Sequence, residues 1–143
     1  MTVIAHDAVI GASNAAFAQA GVACVGLDEL TASADVISRH VPLVASTRHL
    51  FDAKRIAAMK PGAVLINSAR GGVIDEAALA AAFKRGRLGG AALDVFEAEP
   101  MPAGGVRAGC PNLVLMPHIA GVSSESNERV SFMIAQRVLE QLG

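Results

Sequence analysis

One feature narrows the possible folds of this 143-residue chain more than any other: short apolar runs alternate with helical segments along most of its length. "TVIAH" (2–6), "VACVG" (22–26), "DVISRH" (35–40), "AVLIN" (63–67), "AALDVF" (91–96) and "LVLMPH" (113–118) read as strands. They are β-branched or continuously apolar, as strands covered on both faces must be. Strands that alternate with helices imply right-handed crossovers and a parallel sheet, hence an α/β fold.

The helix signals are local. Asp52 can cap a helix that stops at Pro61 and Gly62. Asp75 can cap another, with Lys84 and Arg85 in its last turn and Gly86 beyond, an arrangement that suits the helix dipole. A final helix follows Ser123 and Ser124, with Val130, Met133, Ile134 and Val138 on one stripe. A weaker helix is predicted over 12–20. The stretch 97–112 is too rich in Pro and Gly for either regular element.

Composition removes several classes of function. Apolar residues make up 52% and charged residues 17%, with net charge −1 and mean hydropathy +0.45, so the chain is built to bury a core. No basic run offers itself to nucleic acid or an anionic membrane, and without Trp or Tyr the usual base-stacking platforms are missing. Residues 8–27 carry no charge, but Ser13, Asn14 and Gln19 interrupt them, and a membrane span is not expected. Cys24 and Cys110 lack Cys or His neighbours at metal spacing; two reduced thiols in a cytoplasmic protein, with no metal site, are the expectation. "MTVIAHD" is not a signal peptide.

In parallel sheets ligands collect beyond the carboxyl ends of the strands. Asp7 follows the first strand, His40 the third, and Asn67, Ser68 and Arg70 the fourth; Asp94 closes the fifth and His118 the sixth. One edge thus gathers a cation, an imidazole, an acid in Asp94 and a second acid, Glu99, in the following loop. Hydride transfer at a hydroxyl carbon needs such a set: a base for the hydroxyl proton, and a cation for a neighbouring carboxylate and the carbonyl oxygen. A carboxylate beside the imidazole favours its protonated form, ready to donate in the reducing direction.

Three long stretches, "LINSARGGVIDEAAL", "GAALDVFEAEP" and "PNLVLMPHIAG", strongly resemble the nucleotide-binding domain of the D-isomer-specific 2-hydroxyacid dehydrogenases. "VIAHDA" is similar to the second strand of that domain, and "DVISRHVPLVASTRHLFD" to its segment on the adenine and ribose side. The resemblance implies a doubly wound, Rossmann-like sheet, NAD as cofactor and a small 2-hydroxy or 2-keto acid as substrate. It makes Arg70 the binder of substrate carboxylate and carbonyl, His118 the proton donor and acceptor, and Glu99 its partner. Asp94 would hold the nicotinamide carboxamide, and Asp7 the adenosine ribose hydroxyls, which favours NAD over a 2′-phosphorylated cofactor. Further cofactor contacts are implied for His40, Val41, Pro42, Thr47, Ser68, Ala69, Ala120 and Gly121, beside Arg70 and His118. A homodimer of the full-length parent is implied as well.

The chain departs from the family at its start. Nothing before Asp7 matches the family's first strand and G-x-G-x-x-G turn, and "GASNAAFAQAG" (11–21) is glycine-poor. Residues 1–143 therefore read as a partial dinucleotide-binding domain without a substrate domain. In the order 3-2-1-4-5-6 the missing strand is central. Three outcomes follow: the flanking strands pair directly, a second chain fills the slot, or the piece is marginally stable. Little or no turnover is expected of the chain alone. The alternative is a non-catalytic NAD-sensing or protein-interaction module, against which Arg70, Glu99 and His118 together argue.

Overall fold

The computed structural model describes residues 1–100 and 109–142. Among these residues, six strands form two sheets in which every pair is parallel. β1 (Ile4–Ala5) pairs with β2 (Ala23–Cys24). β3 (Val36–Arg39), β4 (Val64–Asn67), β5 (Gly90–Leu93) and β6 (Leu113–Leu115) lie side by side in that order. Between and after them run α1 (Ala15–Gln19), α2 (Leu27–Ser33), α3 (Ala53–Ala58), α4 (Glu76–Lys84) and α5 (Ser124–Leu142). The α/β class and the parallel strands are as the alternation predicts.

The caps act where the sequence puts them. Asp52 accepts from the Arg55 N–H at 2.8 Å to start α3, and Asp75 accepts from the Ala78 N–H at 2.9 Å to start α4. Gly86 takes φ 63°, the left-handed turn that ends α4 without steric cost. Ser123 accepts from the Ser126 N–H and opens α5. One helix is additional: α2 has no side-chain cap, and only Asp28 and Glu29 in its first turn announce it.

The core lies between the four-stranded sheet and the pair α3–α4. Leu65, Phe51, Ile56, Met59, Ile74 and Leu79 are among its fully buried members. Arg39 is buried with them, its guanidinium carbon 4.1 Å from the centre of the Phe51 ring. Burial lowers its pKa to about 10, so it keeps its charge at neutral pH, and its Nη1 has no hydrogen-bond partner among the described residues.

Two features of the packing narrow what the sequence leaves open. β1 does not pair with β3: the strands on either side of the missing position belong to separate sheets, so the slot is not closed by direct pairing. Val36 of β3 is accordingly 55% exposed in what would be a covered central strand. The stripe of α5 is also uncovered, since Val130, Met133, Ile134 and Val138 are all exposed. A periodic stripe shows which face of a helix is apolar, not whether the folded chain brings a surface to meet it.

What matters for function is the register. Arg39 lies opposite Asn67, and Asn67 opposite Leu93, so β3, β4 and β5 end level with one another. Whatever follows them emerges at one edge.

Candidate active site

β4 ends in Asn67, an amide buried to 2% exposure at the tip of an apolar strand. Its Nδ2 donates to the Arg70 carbonyl at 2.9 Å and its Oδ1 accepts from the Ala69 N–H at 3.2 Å. The side chain thus folds residues 67–70 into a turn that carries Arg70 out to solvent. The Arg70 guanidinium is exposed and donates through Nη1 to the Ala69 carbonyl at 2.7 Å. Its remaining N–H groups are available for an anion.

The next residue fixes where that turn sits. A Cβ on Gly71 would lie 1.7 Å from the Phe96 carbonyl oxygen, so only glycine lets the two backbones meet. The Arg70 turn therefore rests on the chain that leaves β5.

That chain carries two acids. Asp94 is buried, and its two oxygens accept from the Ile119 and Ala120 N–H groups, each at 2.8 Å. Glu99 accepts through Oε1 from the Phe96 N–H at 2.9 Å, while its Oε2 lies 2.9 Å from His118 Nδ1. The imidazole, and after it the Phe96 amide, hold the Glu99 carboxyl below the usual carboxylate range. An ionised Glu99 can only accept, so Nδ1 carries the hydrogen and Nε2 is the nitrogen left to exchange a proton. His118 sits at φ 58°, a conformation that costs a non-glycine residue about 1–2 kcal/mol. The Asp94 bonds to the two following amides hold it there. A pocket of about 390 Å³ lies beside the pair, walled by Phe96, Leu115, Met116 and Pro117.

On the other side of the slot, Asp7 follows β1. Its Oδ1 accepts from the Val9 and Ile10 N–H groups at 2.7 and 3.0 Å, which lowers its pKa and keeps it ionised. Beyond β3, His40 Nε2 lies 2.9 Å from Ser38 Oγ. The Thr47 hydroxyl donates to the Pro42 carbonyl at 2.6 Å and accepts from the Val44 N–H at 2.8 Å, closing the loop that holds Val41 and Pro42. Ser68 and Ala69 lie in the Arg70 turn, and Ala120 and Gly121 follow His118.

Sequence reasoning placed Asn67 at the edge but gave it no task, and passed over Glu97, Glu76 and His49. Glu97 Oε1 accepts from the Glu76 N–H at 3.0 Å, and Glu76 Oε1 from the Glu97 N–H at 2.8 Å. His49 Nε2 lies 3.4 Å from the same Glu97 oxygen. The only available signal for Glu97 was an acid two residues before Glu99. Among the described residues no cluster of His, Cys, Asp and Glu could hold a metal, and Cys24 and Cys110 are free thiols. No described helix is long and apolar enough to cross a membrane.

The family profile described as "D-isomer specific 2-hydroxyacid dehydrogenase, NAD binding domain" matches residues 1–120. The chain belongs to that family. (S)-sulfolactate dehydrogenase of Chromohalobacter salexigens is 50% identical over 143 residues, all of this chain and 46% of that protein. A D-lactate dehydrogenase of Aquifex aeolicus, solved with NAD and lactic acid, superposes with TM-score 0.84 at 34% identity, covering 99% of this chain and 46% of that one. A glyoxylate reductase of Paecilomyes thermophila reaches TM-score 0.86 at 34% identity, covering 96% and 41%. The chain thus spans less than half the length of these dehydrogenases, and its described residues share the α/β fold of the nucleotide-binding domain.

Proposed function

We propose that this chain is a partial dinucleotide-binding domain carrying the acid–base pair and substrate-carboxylate site of an NAD-dependent 2-hydroxyacid dehydrogenase. The observation that carries the reading is the 2.9 Å contact between Glu99 Oε2 and His118 Nδ1, set on the backbone against which the Arg70 turn rests. The pair joins residues far apart in sequence, and a binding module has no use for a proton-exchanging pair, with the exposed Arg70 guanidinium on the turn that packs against the same backbone.

The residues present fit part of the cofactor. Asp7 is ionised with one oxygen engaged by backbone amides, which leaves the other to accept from ribose hydroxyls and disfavours a 2′-phosphate. Asp94 spends one lone pair of each oxygen on residues 119 and 120, so a nicotinamide carboxamide would meet the lone pairs that remain. These 143 residues contain no G-x-G-x-x-G turn to receive the pyrophosphate. NAD, when bound, takes or supplies the hydride.

The chain's own residues do the rest. Arg70 binds the carboxylate of a 2-keto acid and draws density toward its carbonyl. His118, held by Glu99 with Nε2 outward, gives its proton to that oxygen as the carbon is reduced, and takes it back in the reverse direction. Glu99 stays ionised throughout and stabilises the imidazolium. The turn that follows is fixed by Asp94, so the donor nitrogen does not wander.

Isotope-labelled chain titrated with NADH and then with hydroxypyruvate, glyoxylate or a sulfonated analogue tests the reading. NADH should shift the amides near residues 7, 94 and 118–121, the acid should shift Arg70, and the chain alone should oxidise little or no NADH. Millimolar NADH and acid that leave every one of these signals unmoved would sink the proposal. A homodimer of a longer parent, measured by its mass in solution, is part of the same reading.

A further inference from the structure

We propose that Glu97 and Glu76 are positioning residues: their reciprocal clasp sets the Glu99 carboxylate against His118. This deepens the reading above and rests on it.

Glu99 is held at two ends. One oxygen meets His118; the other is tethered to the Phe96 N–H. Its place is therefore only as fixed as the backbone at 96 and 97, which lies beyond β5 and outside the ladder that holds Leu93. Contacts on two sides bear on that backbone. Gly71 presses on the Phe96 carbonyl, which blocks movement toward the Arg70 turn. The Glu97 N–H donates to Glu76, while the Glu76 N–H, in the first turn of α4, donates back to Glu97.

These two bonds close a ring between the loop and the buried start of a core helix. A slide of either side of the ring breaks both bonds at once. His49, held by its own N–H to the Gly72 carbonyl at 2.8 Å, adds a third anchor to the shared Glu97 oxygen. The loop after β3, the start of α4 and the Arg70 turn thus converge on one segment, two residues ahead of the general base's partner. A loop needing only to connect β5 to β6 requires none of this.

The experiment follows the Glu99 carboxyl by ¹³C NMR through an acid titration of the 143-residue chain, as wild type, E97A, E97Q and E76A. In the wild type, Glu99 should titrate below the ordinary glutamate value of about 4.3. E97A opens the clasp, loosens the two bonds that lower Glu99, and should move its midpoint up toward that value. Charge alone predicts the opposite, because deleting a neighbouring carboxylate lowers the midpoint of the one that stays. The sign therefore separates position from charge. E97Q keeps an accepting oxygen and should restore a low midpoint. E76A frees the other half of the ring and should shift Glu99 upward also, which serves if E97A fails to fold. A folded E97A, or failing that a folded E76A, with the midpoint unchanged or lower overturns the inference while leaving the Glu99–His118 pair intact. An ordinary midpoint in the wild type would remove the pair itself, and with it the proposed function.

Discussion

The middle of the chain and its two ends are built differently. Every residue that the structure buries among those described lies between Thr31 and Phe96, whereas α1 and α5 bury nothing and β1 and β2 are only partly covered. The middle is a small packed sheet with two helices on one face. Among the described residues, the elements at the ends leave their apolar sides largely exposed. Arg70 and Glu99 hang directly from the packed part; Asp7 and His118 belong to the ends. Catalytic geometry in such a molecule depends on ties thrown from the core to the periphery, and Asp94 and Glu99 are those ties for His118.

The largest effect that tests this contrast is a cavity in the middle. Leu65 is 0% exposed between β3 and β5, and L65A should cost about 2–5 kcal/mol in urea denaturation. That loss compares with a whole-domain stability of about 5–15 kcal/mol, so at the lower end of that range the variant is only partly folded at room temperature. A cost under 1 kcal/mol would mean that the middle is no better packed than the ends.

Next comes the joint between the Arg70 turn and the chain leaving β5. G71A forces a Cβ into the Phe96 carbonyl, and no rotamer change relieves a clash between backbone atoms. We expect a loss of about 1–3 kcal/mol, with simultaneous changes in the amide shifts of Arg70 and Phe96. Retention of both spectrum and stability would show that the turn does not rest there.

The acid range sharpens the contrast further. Glu99, Asp7 and Glu125 all have lowered pKa values, Glu99 chiefly through His118 and the other two chiefly through backbone amides. A carboxyl with its folded pKa below its unfolded one stabilises the fold above the unfolded value. That stability is lost as pH falls through the folded value. Only Glu99 is tied to the packed middle, so E99Q should flatten the fall of the global unfolding midpoint below about pH 5, and D7N should leave it unchanged. A global midpoint that responds to D7N as strongly as to E99Q would mean that the β1–β2 sheet unfolds with the core.

Much of this was legible beforehand, and the reason is locality. Strand identity, the Asp52 and Asp75 caps and the left-handed Gly86 are each specified by a few consecutive residues. The contact between Glu99 and His118 followed from the rule that parallel strands deliver their ends to one edge. What sequence did not give was long-range. The clasp joins residues 76 and 97, and no local pattern distinguishes Glu97 from a solvated acid. Asn67 was visible as a polar residue ending an apolar strand, but its two bonds to 69 and 70 depend on the turn it builds. α2 lacked the capping side chain by which the other helices declare themselves. The exposure of the α5 stripe could not be read at all, because periodicity describes one partner of a contact and burial requires two.

The smallest expected effect tests that last point. Phe132 is 72% exposed on α5, so its ring is hydrated in the folded chain nearly as in the unfolded one, and little apolar transfer is lost on truncation. Alanine is also the better helix former, by up to about 0.5 kcal/mol. F132A should therefore change the urea midpoint by no more than the equivalent of about 0.5 kcal/mol, and in the stabilising direction if at all. The amides of α5 should exchange far faster than those of β4 and β5 in both proteins, since no buried apolar surface protects them. A loss of more than about 1 kcal/mol in F132A would place α5 against a surface in solution, and the division between a packed middle and unsupported ends would no longer describe this chain.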